Sequence, residues 1–418
     1  MVWRGCSGIP AKEVEMNIDI YFVQFLKEDE SGIGGGGIGT QLAFLCPLLD
    51  ELGFTTTIYQ CFNKHLETRF GKATVIGIPD YPGARRPTRE VVSHFRAIAQ
   101  QRAASSERIE LFGADFFSVR NNNPLAISIM QGLSWDAPID ILTGKKMFRT
   151  KLGEKVLRLR RQIQGVENFE NCYNRVVADL SFLNWYRSFR GPNYPGKVWY
   201  NPNPAAKSRW DASREEKGKG KKPVRIIFAR RLVEEKGTRL AIEVFRDLLE
   251  SYQNIEITVA GEGPDKELFR TNFPNDPRVT VTSYDVENAT AFHKRFDIAF
   301  VPSVCGEATS FSILEAMAAG CAVVATNMFG IITEIIPMHN GMLTFPDKAS
   351  LLDAMKYLIE NPARRLEIQK HGWETSQQSF SLVAWREKWK TIFREVESGK
   401  ELARETMMGR SKRFHYFF

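Results

Sequence analysis

The sequence predicts an α/β protein built from two doubly wound parallel-sheet domains. The chain has 418 residues, more than a single hydrophobic core usually organises. Short apolar runs typical of strands alternate with longer amphipathic runs typical of helices, which is the order of elements in a parallel sheet. Prolines interrupt this alternation at residues 201–204, and because proline cannot continue a central strand, a domain boundary is expected there.

The composition indicates a soluble globular protein without a membrane-spanning segment. Hydrophobic residues make up 43% of the chain and charged residues 25%, the proportions of an ordinary globular domain. No apolar run approaches the roughly 18 residues that a spanning helix needs. We therefore expect a cytoplasmic protein, and we expect its six cysteines, which lack metal-ligand spacing, to be reduced thiols.

A net charge of +8 suits three kinds of anionic partner: nucleic acid, an anionic membrane surface or a small anionic ligand. No nucleic-acid-binding motif is present, and the basic residues are spread except at 217–222 and 410–418. The second of these segments mixes cations with aromatic rings. It suits weak peripheral contact with an anionic inner membrane face, or docking on its own first domain. A solvated loop and a disordered end are the alternatives.

The first half opens with a strand, a glycine-rich loop, a helix and a second strand, a Rossmann-like beginning. We predict the strands at 17–25 and 55–61 and the helix at 40–52. The loop includes Gly36 and Gly37, and only glycine lets backbone N–H groups approach a diphosphate so closely. A dehydrogenase begins similarly but needs an acid after the second strand, and none appears before Glu67. Plain flexibility is the other explanation of the glycines.

The same patterns predict the remaining elements of both halves. Helical stretches are expected at 85–108, 145–161, 238–249, 311–319, 351–359, 363–378 and 384–396, and strands at 126–130, 175–180, 197–200, 224–229, 255–260, 297–301 and 322–326. A segment rich in lysine and glycine at 211–222 is predicted to be a flexible surface insertion.

The functional signal is strongest between the strands at 297–301 and 322–326. A loop there leads into a helix whose free N–H groups and positive dipole end form an anion site above the sheet edge. Glu307 precedes this helix and Glu315 lies inside it, with seven residues between them. The alternative is structural, because Ser312 and Glu315 have the spacing of a capping box, which would make Glu315 a helix cap.

The Glu307-x7-Glu315 spacing resembles the signature of retaining glycosyltransferases of the GT-B type, in particular glycosyltransferase family 4. The turn from Arg231 to Gly237 resembles the Arg-Leu-x-x-x-Lys-Gly motif of that family. A strand followed by Gly-x-Gly-Pro at 261–264 resembles a third family segment. The resemblance covers about residues 17–400 and is densest over 224–360.

The resemblance implies a role for each matching residue. Arg231 and Lys236 would pair with the donor diphosphate, acting like an oxyanion hole for the leaving group, and Glu307 would lie against the donor sugar as the third catalytic residue. Glu315 would accept hydrogen bonds from the ribose hydroxyls. The remaining predicted donor-binding positions are Gly36, Gly37, Thr309, Ser310, Phe311 and Ser312.

The acceptor side departs from the family pattern. Gln131 stands at a strand end where many relatives place histidine, and Trp135 follows closely; both are predicted to face the acceptor. Glutamine can hydrogen-bond a sugar hydroxyl but cannot transfer a proton. Thr309 and Ser310 stand where the family usually has Phe-Gly, and Phe329 replaces the first glycine of a Gly-Gly-x-x-Glu segment.

The resemblance also implies that the two Rossmann-like domains face one another across a cleft, and it implies the role of each domain and the reaction. Residues 17–203, with a crossover helix at 384–400, would form the acceptor-side domain, residues 204–383 the nucleotide-sugar domain, and 401–418 a basic, aromatic tail. A sugar would pass from a UDP- or GDP-linked donor to a saccharide or lipid-linked acceptor in cell-surface polysaccharide or glycoconjugate synthesis, with retention of configuration. No metal or other cofactor is expected, since no Asp-x-Asp pair stands at a strand end.

Two other functions stay open. A nucleotide-sugar 2-epimerase of the same fold needs carboxylates and histidines around the hexose, and the six histidines lie away from the motifs. A catalytically inactive sugar-binding partner is suggested by the departures at Gln131, Thr309 and Phe329. Turnover of a panel of nucleotide sugars separates all three functions.

Overall fold

The computed structural model describes residues 16–27, 29–30, 32–34, 36–62, 64–79, 88–103, 107–120, 122–132, 151–191, 196–217 and 222–413. The described residues form a first sheet of eight strands in the order β3-β4-β2-β1-β5-β6-β7-β8 and a second of six in the order β11-β10-β9-β12-β13-β14. The α/β prediction of two doubly wound domains is confirmed, and all strand pairs are parallel except β3 with β4.

The strands of the first sheet are β1 (Asn17–Tyr21), β2 (Thr55–Cys61), β3 (Leu66–Phe70), β4 (Ala73–Ile78), β5 (Arg108–Phe112), β6 (Ile127–Met130), β7 (Asn174–Val177) and β8 (Lys197–Tyr200). Those of the second are β9 (Val224–Ala229), β10 (Ile255–Ala260), β11 (Val279–Thr282), β12 (Ile298–Val301), β13 (Ala322–Thr326) and β14 (Met342–Thr344).

The helices are α1 (Gly36–Glu51), α2 (Thr88–Ala103), α3 (Lys151–Phe169), α4 (Leu180–Arg190), α5 (Ser213–Lys217), α6 (Thr238–Ser251), α7 (Lys266–Asn272), α8 (Ala289–His293), α9 (Phe311–Ala318), α10 (Lys348–Glu360), α11 (Pro362–Gln378), α12 (Leu382–Ser398) and α13 (Lys400–Arg413). The sequence patterns did not predict the hairpin β3–β4, the strands β5, β11 and β14, or the helices α4, α7 and α8.

Both faces of the first sheet are covered, as parallel strands require. Ile18 and Ile20 of β1 pack in a core that contains Leu45 of α1 and Trp389 of α12. Tyr21 points to the opposite face, where it meets Phe95 of α2 at 5.5 Å between ring centroids. The second sheet likewise has one core against α6 and α10 and another against α9.

Helix α12 packs on the first sheet. Trp385, Trp389 and Phe393 lie in the same core as β1. The indole of Trp199 in β8 donates to Glu395 at 3.0 Å. Burying three aromatic side chains from the far end of the chain ties α12 to the first sheet, so the chain crosses between the domains twice.

Several predicted boundaries are wrong. The first strand ends at Tyr21 rather than at residue 25, and α1 begins at Gly36, so the last glycines of the loop form the first helical turn. The segment 211–222 contains α5, and Arg214 within it is buried and donates to the carbonyls of Phe296 and Ala319. Residues 400–413 form α13, and residues 414–418 of the basic, aromatic tail lie outside the described part of the chain.

Cys46, Cys61, Cys172, Cys305 and Cys321 are buried thiols, in agreement with the prediction of reduced cysteines at these positions. Cys6 lies outside the described residues. Within the part of the chain that the structure describes, no helix is long and apolar enough to cross a membrane.

Candidate active site

The predicted donor residues meet at the carboxyl edge of the second sheet. Strands β9 and β12 are parallel neighbours, so their carboxyl ends lie side by side. Arg230 and Arg231 directly follow β9, and the loop that carries Ser303 and Glu307 follows β12. Ligands of open α/β sheets bind at this edge, so the topology places these side chains where a ligand is expected.

Glu307 lies at the centre of a charged cluster. Its Oε1 accepts a hydrogen bond from Nη2 of Arg230 at 2.6 Å, lies 3.1 Å from Nζ of Lys236 and accepts from the hydroxyl of Ser303. Nη1 of Arg230 also donates to Ser303 at 2.8 Å. The side chain of Arg230 is 2% exposed and that of Glu307 is 11% exposed, so the pair is shielded from water.

The charges in this cluster control the ionisation of Glu307. Burial alone would raise the pKa of Glu307, but the neighbouring Arg230 and Lys236 outweigh burial and hold this pKa well below its ordinary value. Burial lowers the pKa of Lys236, and the Glu307 carboxylate opposes that effect while Arg230 and Arg231 add to it. Glu307 is therefore a carboxylate at neutral pH, fixed at the cleft by two cations.

A glycine sets the backbone after Lys236. Gly237 has φ +79°, a left-handed conformation that other residues rarely adopt, and a Cβ at this position would overlap the carbonyl oxygen of Pro302. The Lys-Gly pair of the motif therefore has a steric basis. Glycine brings the turn against the β12 loop, and Lys236 consequently reaches Glu307.

Arg231 reaches toward the first domain beside this cluster. It is exposed, and an added Cβ on Gly36 would lie 3.6 Å from its Nε. An added Cβ on Gly37 would lie 3.2 Å from the ring of Phe311, which also stacks on Phe44 at 6.2 Å. The start of α1 thus forms a wall opposite Arg231 and α9, and side chains at the two glycines would narrow the space between the domains.

The capping-box explanation of Glu315 is wrong. Helix α9 begins at Phe311 with Ser310 as its N-cap, so Ser312 is already inside the helix and cannot cap it. The backbone N–H of Ser310 instead donates to the Glu334 carboxylate at 2.6 Å. Among the described residues, the N–H groups of Phe311 and Ser312 have no partner, which leaves the start of α9 available to an anion.

Glu315 is 9% exposed, and no described side chain forms an ion pair with it. Burial raises its pKa to about 8, so its carboxyl group is largely protonated at neutral pH. The pKa of Tyr284 is raised by burial and then by the charge of Glu315, which places the phenol near this carboxyl. A buried carboxyl group with unused hydrogen-bonding capacity suits a hydroxyl-bearing ligand.

We expect Glu315→Gln to remove a pH dependence of stability. The folded-state pKa of about 8 lies above the ordinary 4.5, so the unfolded chain binds fewer protons between these values. The contribution of Glu315 to the free energy of unfolding is therefore complete below pH 4.5. This contribution is lost as the pH rises toward 8, by at most about 1.4 kcal/mol per pH unit. Urea unfolding at several pH values measures the effect. As the pH rises, the free energy of unfolding of Glu315→Gln should increase relative to that of the wild type.

The matched control for this profile is Glu397→Gln, an exposed carboxyl at the end of α12. Its profile should run parallel to that of the wild type. Parallel profiles for all three proteins would contradict a neutral, buried Glu315.

A chain of side-chain amides links Gln131, at the end of β6, to the loop that precedes α9. Gln131 donates to Oε1 of Gln41, Nε2 of Gln41 donates to Asn203 at 2.9 Å, and Nδ2 of Asn203 donates to the carbonyl of Thr309 at 2.8 Å. The hydroxyl of Thr309 donates to the carbonyl of Ala178 in the first domain. Gln131 is thus connected through two buried amides to the loop that carries Glu307. Trp135 lies outside the described residues.

The sequence analysis missed four residues of this site: Arg230, Ser303, Glu334 and Asn203. A signal for Arg230 was present, because consecutive residues at a strand end point to opposite sides, so only one of two adjacent arginines can face a given ligand. Glu334 also had a signal, because it ends the segment at 329–334 that resembles Gly-Gly-x-x-Glu. That segment does not reveal the contact of Glu334 with Ser310, which is 24 residues away. No group of three or more His, Cys, Asp or Glu side chains that could hold a metal occurs within the described ranges.

Part of the chain resembles known proteins in sequence. Residues 210–374 match the family model described as glycosyl transferases group 1. Lipopolysaccharide 1,2-N-acetylglucosaminetransferase of Salmonella typhimurium is 25% identical over 37% of this chain and 46% of its own length. The chain spans about half or less of the length of the curated relatives it matches, namely 46%, 33% and 50% for three of them.

Solved structures share the fold over nearly the whole chain. Sucrose-phosphate synthase of Thermosynechococcus elongatus superimposes with a TM-score of 0.72 at 16% identity, over 92% of this chain and 100% of its own. Anabaena Alr3699/HepE in complex with UDP-glucose gives 0.61 at 15%, over 92% and 100%. The fold is that of the GT-B glycosyltransferases. Together with the matched model, it supports the group 1 glycosyltransferases as the class of enzyme to which this site points.

Proposed function

We propose that the protein transfers a sugar from a UDP- or GDP-linked donor to a saccharide or lipid-linked acceptor, in the synthesis of a cell-surface polysaccharide or glycoconjugate. The observation that carries the proposal is the Glu307 cluster at the sheet edge, with Arg231 and the free start of α9 beside it. Three positive charges and a helix amino terminus around one carboxylate leave an excess of positive potential for an anionic ligand.

The arrangement fits departure of a nucleoside diphosphate. As the bond between sugar and diphosphate breaks, negative charge gathers on the phosphate oxygens. Arg231, Lys236 and the N–H groups of Phe311 and Ser312 are the donors that would stabilise it. Glu307, held as a carboxylate, would lie against the sugar, and the carboxyl group of Glu315 would hydrogen-bond the ribose. These groups are fixed before the reaction, so little reorganisation is needed.

The proposal also includes four properties that the family resemblance implies. They are retention of configuration, membership of family 4, independence of metals and a cytoplasmic location. The structure of Alr3699/HepE with UDP-glucose, which shares the fold, supports a nucleotide sugar as the kind of donor. Gln131 and Trp135 remain the proposed acceptor-side residues, and Gly36 and Gly37 the proposed wall over the diphosphate.

Incubation of the protein with a panel of UDP- and GDP-linked sugars, with and without EDTA, tests the proposal. Release of nucleoside diphosphate together with a glycoside of the donor's anomeric configuration is the expected result. An epimerised nucleotide sugar would indicate a 2-epimerase instead. Tight binding of nucleotide sugars without any turnover would indicate a sugar-binding partner.

Arg231→Ala should weaken the affinity for UDP or GDP at least about tenfold, because a charge-assisted contact to the diphosphate is lost. Its melting temperature should not change, since the side chain is exposed. Isothermal calorimetry of the variant measures the dissociation constant. Arg239→Ala, which removes another exposed arginine a short distance along the chain, is the matched control. If the dissociation constants of Arg231→Ala for UDP and GDP equal those of the wild type, Arg231 does not bind the diphosphate.

A further inference from the structure

A cavity lies at the amino edge of the second sheet, at the opposite end of the strands from the candidate active site. Its lining includes Arg225 at the start of β9, Asn254 directly before β10 and Asp297 directly before β12. Helix α11 also lines it, through Arg365. Strand β9 has six residues, and at about 3.3 Å for each residue about 20 Å of strand separates the two edges. The cavity is therefore distinct from the site around Glu307.

The lining of this cavity is strongly basic. Arg214, Lys222, Arg225 and Arg365 bring four positive charges, whereas Asp297 is the one carboxylate among the described residues that line it. Asp297 is already engaged, because its Oδ2 accepts from the backbone N–H of Arg225 at 2.9 Å and its Oδ1 lies 4.0 Å from Nη1 of Arg214. The lining therefore has an excess of positive charge that an anion would neutralise.

Three of these cations have hydrogen-bond donors to spare. Among the described residues, the guanidinium of Arg225 and the ammonium of Lys222 have no hydrogen-bond or ion-pair partner. Arg365 donates through Nη1 to two backbone carbonyls in the last turn of α10, which leaves its Nη2 and Nε. Burial lowers the pKa of Arg365, and the charge of Asp297 opposes that effect. A bound anion would stabilise this half-buried cation further.

Hydrogen bonds hold the wall of the cavity in place. The side chain of Arg214 is 2% exposed and donates to three backbone carbonyls within residues 294–319. Nε2 of Gln369 donates to the carbonyl of Asp297 at 2.8 Å, and Nδ2 of Asn254 donates to the carbonyl of Lys222 at 3.2 Å. Because these contacts already join α5, α11 and the ends of the strands, a ligand would find the wall preorganised.

The size and chemistry of the cavity define the class of ligand. Its volume is about 180 Å³, below the range of about 300–1,000 Å³ for pockets that hold drug-sized molecules, so a nucleotide sugar is too large for it. Guanidinium groups bind phosphate oxygens through paired N–H donors, and an ammonium binds them as a point charge. A small anion that carries a phosphate group fits both the volume and the charge.

We propose that this cavity binds a small phosphate-bearing anion, held by Arg225, Arg365 and Lys222. The anion bridges β9, α11 and the segment that precedes β9, and so stabilises the second domain. The basic segment at 217–222, which stands out in the sequence, ends at this cavity with Lys222. Binding here does not depend on the proposed reaction, because the diphosphate of the donor would lie at the carboxyl edge of the same sheet.

Isothermal titration calorimetry of the full chain tests the site, with inorganic phosphate and glycerol 3-phosphate as the probes. The wild type should bind at least one of them saturably. Lys222→Gln/Arg225→Gln should weaken the affinity about tenfold or more, because two charge-assisted contacts are lost. Tighter binding of glycerol 3-phosphate would make the ligand a phosphate ester, and equal or tighter binding of inorganic phosphate would make it the free ion. Both results support the site.

The matched control is Arg239→Gln/Lys388→Gln, which removes the same two kinds of charge from exposed positions outside the lining. It should bind phosphate as the wild type does. Arg231→Ala should also keep phosphate binding, since Arg231 lies at the other edge of the sheet. Phosphate should raise the melting temperature of the wild type and of both of these variants, but much less that of Lys222→Gln/Arg225→Gln, because a ligand stabilises only the state that binds it.

Three outcomes would overturn the phosphate site. The wild type binds neither probe saturably, or Lys222→Gln/Arg225→Gln and the matched control bind equally well, which would mean that no specific contact is made. Loss of phosphate binding in Arg231→Ala would place the anion at the carboxyl edge instead. If the double variant melts at a lower temperature without phosphate, Lys222→Gln alone decides, because this side chain is exposed. Its affinity should fall several-fold, and an unchanged affinity would contradict the proposal.

Discussion

Replacement of Arg230 by alanine should lower the free energy of unfolding by about 3 kcal/mol, because it breaks a buried ion pair and leaves its partner uncompensated. Arg230 holds both Glu307, at 2.6 Å, and Ser303, at 2.8 Å, and its side chain is 2% exposed. Lys236 stays near Glu307 at 3.1 Å and keeps the cost at the lower end of the usual range for broken buried pairs. Urea unfolding followed by circular dichroism measures the change.

The neighbouring residue gives the control for this measurement. Arg231→Ala removes the same chemical group from an exposed position one residue along the chain, and its effect should stay within about 0.5 kcal/mol. Equal losses for the two variants, or a larger loss for Arg231→Ala, would mean that Arg230 does not hold Glu307 in solution.

Glu307→Gln should reduce sugar transfer about 100-fold or more, which is the scale for removing one preorganised electrostatic contact at a reacting centre. The amide keeps the shape of the side chain but carries no charge, so Arg230 and Lys236 lose their common anion. The carboxylate that would lie against the donor sugar is lost in the same substitution. Initial rates of donor turnover, with kcat and KM determined separately, measure the effect.

The affinity of Glu307→Gln for the nucleoside diphosphate should be kept, because Arg231 and the start of α9 do not depend on Glu307 for their position. Retained nucleotide binding then shows that the variant is folded. Glu256→Gln, an exposed carboxyl on β10, should turn over donor at the wild-type rate. Turnover of Glu307→Gln close to that of the wild type would exclude a catalytic role for Glu307.

Local patterns in the sequence were enough to predict the order of the central elements. Glycine at 320, for example, ends α9 with φ +77°, and Gly53 follows α1 with the same φ. Both are stop signals that depend only on backbone sterics. The sequence also predicted that Glu307, after β12, and Lys236, after β9, lie at the same edge of the sheet. The reason is that parallel strands bring their carboxyl ends to one edge.

The boundaries of helices and strands were less predictable where the local composition disfavours the structure that forms. Glycines disfavour a helix, yet α1 begins at Gly36. The lysine-rich segment at 211–222 was predicted to be flexible, yet Arg214 anchors α5 by donating to three backbone carbonyls. In such segments, tertiary contacts outweigh propensities of less than about 1 kcal/mol per residue.

The sequence by itself determined the fold class, the order of the central strands and helices, and the loop where charge would collect, because periodicity and backbone sterics are local. Only the tertiary structure decided which of two adjacent arginines pairs with Glu307, which carboxylate receives the N–H before α9, and which face of α3 meets solvent. Each of these depends on the direction of a side chain relative to elements far along the chain. Packing against those elements fixes the direction of the side chain, and the spacing of residues within one segment does not predict it.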